Sequence, residues 1–164
     1  MMTTDLDRCF NMEPGPNLAF ALVLSEYTEI LGGFVRGKFN HRECAANYCR
    51  FLEYMGEYYV QLNKKICLYK VVRCGLAHEY LMKGPSTVVW RRSDHSQMGL
   101  YIDNGRIIFN CEAYFIHWKT AVSQYFRDLK NNTSLQQNLI NSITQLDSRQ
   151  ISTPLFRVEP KKNK

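Results

Sequence analysis

Apolar residues that recur at helical intervals are the feature of this sequence that most restricts its fold. The clearest stripe alternates spacings of four and three, and it consists of Cys44, Tyr48, Phe51, Met55, Tyr58 and Leu62. A stripe of this kind is typical of a helix that packs along a neighbouring helix. Comparable stripes occupy residues 18–34, 66–80, 114–129 and 135–146. The pattern therefore predicts about five helices.

Glycine, proline and asparagine mark the ends of these segments. Gly32-Gly33 is expected to end or fray the first helix, Asn63 to form a turn before the third, and Gly84-Pro85 to stop the third. Between the third and fourth helices, Asn104-Gly105 separates two short β-forming runs, which is the strongest short-range signal for a hairpin. We predict a mainly α fold: an antiparallel helical bundle of about five helices, with a small β-hairpin inserted between helices 3 and 4.

A chain of 164 residues is long enough for one domain with a buried core. We expect an N-terminal extension over residues 1–16, which ends in Pro14-Gly15-Pro16, and a helical domain over residues 17–150. The hairpin insertion should occupy about residues 86–110. Residues 151–164 are rich in lysine towards the end and are expected to form a basic C-terminal tail.

Several classes of protein are disfavoured by the sequence. The longest apolar run, residues 18–31, is interrupted by Ser25, Glu26 and Glu29, so it falls short of the roughly 18 uninterrupted apolar residues of a membrane span. The first residues resemble neither a secretory signal nor a transit peptide. Six cysteines form no C-x-x-C pair. We therefore expect a cytoplasmic protein with reduced thiols, no membrane association, no metal and no cofactor.

Positive charge is concentrated in the middle of the chain. Residues 64–92 contain seven basic side chains and one acidic side chain (+6), whereas residues 1–63 contain five and eight (−3). Such a basic segment attracts polyanions such as RNA. A solvated basic face of a helical bundle gives the same pattern, so both interpretations stay open.

The basic segment contains Arg73, His78 and Tyr80 with the spacing R-x4-H-x-Y. Arginine is a permanently charged fork that suits a phosphate, and histidine titrates near neutrality. In a straight helix these two residues are about 140° apart around the axis and about 7.5 Å apart along it. Joint action on one phosphate then requires either a distortion at Gly75 or a second copy of the segment. Because glycine costs about 1 kcal/mol in a helix, Gly75 should mark a bend or a close approach of another backbone or a ligand.

This spacing on a helical segment resembles the HEPN family (higher eukaryotes and prokaryotes nucleotide-binding), whose ribonuclease members carry R-x4-6-H. The resemblance implies an endoribonuclease, a toxin or phage-defence effector, with a composite cleft at a homodimer interface. It also implies that Tyr80 could be the residue to which a partner nucleotidyltransferase, acting as antitoxin, attaches adenylate.

The chemistry implied for Arg73 and His78 needs no metal, because the 2′-hydroxyl of RNA can attack the adjacent phosphorus. His78 would act as general base or general acid, a role worth about 10²–10⁴-fold in rate. Arg73 would stabilise the charge that develops on the phosphate oxygens. Tyr80, the third predicted catalytic residue, would donate a hydrogen bond within the cleft. Other basic side chains that could bind RNA are Lys70, Lys83, Arg91 and Arg92.

Two other functions stay open at this stage. Cys74 directly follows Arg73, where HEPN ribonucleases commonly have a polar residue such as Asn, Asp or His. This difference favours a non-catalytic HEPN-like module that binds nucleotide or RNA, or that acts as an adaptor. In the third interpretation the motif is a coincidence, and the protein is a helical scaffold without a nucleic-acid role.

Overall fold

The structure is a computed structural model, and it describes residues 2–12, 15–90 and 97–152. It is mainly helical (72%), which confirms the predicted class, and the described residues form seven α-helices and a small three-stranded mixed sheet. The helices are α1 (Met2–Phe10), α2 (Asn17–Arg36), α3 (Cys44–Met55), α4 (Glu57–Ile66), α5 (Cys74–Glu79), α6 (Cys111–Asn131) and α7 (Thr133–Ser152). A π-helical turn over Tyr69–Arg73 precedes α5. Most of the predicted tail, residues 153–164, lies outside the described residues.

Helix α2 is the central element, and it packs against α1, α3, α6 and α7. The prediction that Gly32-Gly33 ends this helix is wrong, because α2 continues to Arg36. A side chain at Gly32 would overlap the backbone carbonyl of Asn47 in α3. Glycine is therefore used here to let two helices approach closely. The helix ends instead at Gly37, which has φ +69° and donates its N–H to the carbonyl of Gly33.

Among the described residues, α2 alone is long and apolar enough to cross a membrane by length and composition. Half of its most apolar 18-residue window, whose mean hydropathy is 1.5, is buried within the fold. The central helix of a folded domain has the same composition. The expected absence of membrane association stays a prediction.

The predicted continuous helix across residues 44–62 is wrong, because the chain breaks at Gly56 into α3 and α4. Gly56 has φ 112° and ψ 164°, a conformation that glycine adopts far more readily than other residues. Two stripe residues of α3, Tyr48 and Phe51, are fully buried, as is expected of a core stripe. Beyond the break the pattern changes, because Tyr58 is 38% exposed.

Residues 1–16 contain a helix that the periodicity analysis did not predict. Helix α1 packs on α2, and its Leu6 is only 1% exposed in the core. The ring of Phe10 at the end of α1 joins an aromatic cluster with Phe20, Trp90 and Phe115, whose centroids lie 5.0–6.1 Å apart. This N-terminal segment therefore contributes to the same core as the rest of the chain.

The sheet contains strands β1 (Ser86–Val89), β2 (Leu100–Asp103) and β3 (Arg106–Asn110) in the order β1-β3-β2. Strands β2 and β3 are antiparallel and are joined by Asn104 and Gly105, both with positive φ, which confirms the predicted hairpin between α5 and α6. Strand β1 pairs with β3 in parallel, which the sequence did not predict. Parallel pairing depends on a connection that passes through the rest of the fold, so no local turn signal encodes it.

Helix α7 is attached to the C-terminal end of α2 by side-chain hydrogen bonds. Asn138 donates to the carbonyl of Val35 (2.8 Å), Ser142 to that of Gly33 (3.0 Å) and Gln145 to that of Gly37 (2.9 Å). Carbonyl groups at a helix C-terminus lack partners within the helix. The polar face of α7 therefore supplies partners to the end of α2.

We expect Asn138→Ala to lower the free energy of unfolding by about 1–2 kcal/mol, because the carbonyl of Val35 loses its side-chain partner. Urea unfolding followed by circular dichroism measures this change. Asn141→Ala on the exposed side of the same helix is the matched control, and it should change stability by less than about 0.5 kcal/mol. Equal effects of the two substitutions would contradict the role given to Asn138.

Candidate functional site

The segment that carries the R-x4-H-x-Y spacing is not the single helix expected from Lys64 to Lys83. Helix α4 continues to Ile66, and Cys67 follows with φ +48°. The side-chain oxygen of Asn63 accepts the N–H of Leu68 (2.8 Å), which closes the end of α4. The segment then consists of the π-helical turn and α5, and it ends at Tyr80 in the left-handed conformation (φ +58°).

Gly75 has the close backbone contact that the sequence analysis expected. A Cβ atom at this position would lie 2.6 Å from the carbonyl oxygen of Leu81 and 3.0 Å from the nitrogen of Lys83. The N–H of Lys83 donates to the carbonyl of Val71 (3.0 Å). The chain after Tyr80 therefore folds back against the helix at Gly75.

Arg73 points at α2, where two glutamates hold its guanidinium. Its Nη2 donates to Oε2 of Glu26 (2.8 Å), and its Nε lies 2.5 Å from Oε2 of Glu29 in an ion pair that lacks the alignment of a hydrogen bond. The Arg73 side chain is 16% exposed. Burial lowers the pKa of Arg73, but the two carboxylates outweigh burial, so the net shift is upward. Arg73 is thus a fixed cation whose charge is offset by its neighbours.

Tyr69 and Cys44 surround this ion-pair cluster. The Cζ atom of Arg73 lies 6.0 Å from the centre of the Tyr69 ring, at the outer limit of a cation–π contact. Burial, followed by the nearby Glu29 carboxylate, raises the pKa of the Cys44 thiol to about 11. Cys44 is therefore a protonated thiol at neutral pH.

His78 is exposed in the last turn of α5, and Glu26 interacts with both His78 and Arg73. Burial, the largest effect, raises the pKa of Glu26, while the positive charges of Arg73 and of a protonated His78 lower it; the net shift is upward. Arg73 therefore contacts Glu26 directly, whereas His78 influences this carboxylate through its charge. Tyr80 is 54% exposed and lines a cavity of about 440 Å³ beside the start of α2.

The residues predicted to bind RNA are only partly described. Lys70 is exposed on the π-helical turn. Lys83 forms an ion pair with Glu79 (2.9 Å). Arg91 and Arg92 lie outside the described residues.

The sequence analysis missed the residues that face the motif from other helices: Glu26, Glu29, Cys44 and Tyr69. One signal was present, because two glutamates three residues apart interrupt the most apolar stretch of the chain. Charged residues in such a helix need partners, so they indicated a cation facing α2.

All six cysteines are free thiols. Within residues 2–12, 15–90 and 97–152, no group of three or more His, Cys, Asp or Glu side chains is arranged to hold a metal ion. Comparison with protein-family models, with curated proteins and with solved structures finds no match to this chain. The resemblance to the HEPN family therefore rests on the motif residues themselves.

We expect Glu29→Gln to increase the rate at which iodoacetamide modifies Cys44 several-fold, because the substitution removes the negative charge that helps to raise the thiol pKa. Mass spectrometry of peptides labelled at about pH 8.5 gives the rate. Glu26→Gln is the matched control, since it removes the other carboxylate partner of Arg73. If both substitutions accelerate labelling equally, Glu29 does not control the thiol.

Proposed function

We propose that this protein is a metal-independent endoribonuclease of the HEPN type, whose active site is assembled from the Arg73–His78 segments of two copies. The observation that supports it best is the position of Glu26, which contacts Arg73 and interacts electrostatically with His78. A permanent cation and an exposed proton carrier thus belong to one cluster.

The exposed apolar surface beside the motif argues for a second copy. Close to His78, Tyr80 and Leu81 are 54% and 61% exposed. Exposed apolar side chains next to a polar site are typical of an interface. In the proposed homodimer a two-fold axis brings two such segments together.

In this mechanism the RNA supplies its own nucleophile. His78 of one copy accepts the proton of the 2′-hydroxyl as its oxygen attacks phosphorus, and His78 of the other copy donates a proton to the departing 5′-oxygen. Arg73 stabilises the charge on the non-bridging oxygens, and Glu26 holds the guanidinium of Arg73 in place. The products are a 2′,3′-cyclic phosphate and a 5′-hydroxyl.

The proposal also covers the arrangement of the helices, the cellular role and the partner of this protein. The antiparallel bundle of about five helices would correspond to α2, α3 with α4, the π-helical turn with α5, α6 and α7. A cytoplasmic ribonuclease of this kind would act as a toxin or phage-defence effector. Tyr80 would be the acceptor for adenylate from a nucleotidyltransferase antitoxin, and its exposure is compatible with modification.

A second function is a non-catalytic HEPN-like module that binds nucleotide or RNA, or an adaptor in a larger complex. The observation that favours it is the offset charge of Arg73, which is held by two carboxylates. Cys74 after Arg73 supports the same alternative, because a thiol is a weak hydrogen-bonding group. RNA binding with a steep salt dependence and without cleavage would select it.

We expect the purified protein to cleave mixed RNA in excess EDTA and His78→Gln to reduce the rate at least about 100-fold, because the proton carrier is lost. His78 is exposed, so this variant should fold normally. Electrophoresis of the RNA gives the rate. His41→Gln, at another exposed histidine, is the matched control and should retain activity.

Arg73→Lys tests the second catalytic residue without leaving Glu26 and Glu29 unpaired. It keeps the charge but loses the planar fork, so it should cleave RNA more slowly than the wild type. Cleavage that persists unchanged in both His78→Gln and Arg73→Lys would eliminate the proposed active site.

We expect Leu81→Glu to convert a wild-type dimer into a monomer and to abolish cleavage, because a charge at an apolar interface is costly. Analytical ultracentrifugation gives the oligomeric state. Ile140→Glu, at a similarly exposed apolar residue of α7, is the matched control. A monomeric wild type that still cleaves RNA would show that one copy is sufficient.

A further inference from the structure

A second cavity, of about 310 Å³, lies between the junction of α3 and α4, helix α6 and the residues before β2. This volume falls within the range of small-molecule sites. The residues that matter for its chemistry are Tyr54, Met55, Tyr58, Tyr59, Met98 and His117. Cys44, beside Arg73, and Tyr54 are ten residues apart on α3, or about 15 Å. The cavity is therefore separate from the cluster around Arg73.

The break at Gly56 gives this cavity its aromatic wall. Because α4 starts in a new direction, Tyr58 is turned towards solvent while Tyr59 is buried. The two rings meet edge to face, with centroids 5.6 Å apart and planes at 84°. Tyrosine rings are rigid, and their faces favour flat partners. With Tyr59 buried, the exposed Tyr58 ring offers a face that suits a planar ring rather than an aliphatic chain.

His117 supplies a defined polar group in the same wall. Its Nδ1 lies 2.7 Å from the hydroxyl of the buried Tyr59. Burial lowers the pKa of His117, so the ring is neutral at physiological pH. Burial also raises the pKa of Tyr59, opposed by the backbone N–H of Gly99, so the hydroxyl keeps its proton. A buried hydroxyl that keeps its proton needs an acceptor, and Nδ1 of His117 lies within hydrogen-bond distance; donation to Nδ1 leaves the ring proton of His117 on Nε2.

We infer that this cavity binds a planar heteroaromatic ring with an unprotonated ring nitrogen, which stacks on the tyrosine wall and accepts a hydrogen bond from Nε2 of His117. The cavity volume accommodates a bicyclic ring of the purine type. Such a ring can belong to a free small molecule or to an unpaired base of a nucleic acid. The inference does not depend on the proposed ribonuclease activity, and its site shares no residue with that cluster.

The test uses the full chain labelled with ¹³C at the methionine methyl groups. Met55 and Met98 line the cavity, whereas Met12 and Met82 do not and serve as internal controls. The probes are benzimidazole and indole, which have the same shape, although benzimidazole alone has an acceptor ring nitrogen. We expect saturable ring-current shifts of Met55 and Met98, with benzimidazole bound about tenfold more tightly than indole.

Two variants separate the hydrogen bond from the stacking. In His117→Phe the aromatic wall is kept, so benzimidazole should bind about tenfold more weakly and lose its advantage over indole. In Tyr58→Ala, at a surface position that should not affect folding, both probes should bind about tenfold more weakly. His78→Gln should bind both probes normally, whether or not the wild type cleaves RNA.

The inference is overturned if neither probe gives saturable shifts, if Met12 and Met82 shift with the same dependence on probe concentration, or if benzimidazole keeps its advantage in His117→Phe.

When the two probes bind as expected, adenosine and single-stranded oligoadenylate identify the source of the ring. Tighter binding of the oligonucleotide indicates a base of RNA, and equal or tighter binding of adenosine indicates a free small molecule. Saturable shifts with either of them support the site.

Discussion

Two carboxylates on an otherwise apolar helix hold the Arg73 cation, and the position of the motif depends on this contact. A half-buried charge is stable only when opposite charges or hydrogen bonds accompany it. Glu26 and Glu29 provide these for Arg73, and Arg73 in turn allows two acidic residues to lie on the central helix. The contact fixes the π-helical turn against α2, and α5 then follows with His78 at its exposed end. The ion pairs of Arg73 with Glu26 and Glu29 therefore serve both the packing of the motif on α2 and the proposed chemistry.

Local features of the sequence were sufficient for part of this structure. The hairpin was predictable because its turn, Asn104-Gly105, is encoded by two adjacent residues. The roles of glycines inside helical stripes were not predictable, because glycine serves different purposes at different positions. At Gly32 it lets α3 approach, and at Gly56 it breaks the helix. Only the neighbouring helix distinguishes these roles, and periodicity contains no information about neighbours.

The candidate site, too, was predictable only in part from the sequence. Spacing alone singled out Arg73, His78 and Tyr80, because the residue types that carry phosphodiester chemistry are few. Their surroundings were not predictable, since Glu26 is 47 residues from Arg73 in sequence. When charges are counted by segment, residues 1–63 have a net charge of −3, and such a count assigns no acidic neighbours from elsewhere in the chain to the positive charge of residues 64–92. Folding places acidic α2 directly on the motif, so the sum of a segment gives little information about the field at one side chain.

The attachment of α7 has a consequence for how this protein opens. Water can take over a hydrogen bond to a backbone carbonyl, but it cannot replace a buried leucine. An interface formed by Asn138, Ser142 and Gln145 can therefore hydrate step by step, whereas the apolar contacts of α2 with α3 separate together. Amide protons of α7 should exchange with solvent through local excursions of this one helix, well before those of α2 and α3. Helix α7 is therefore expected to open before α2 and α3 separate.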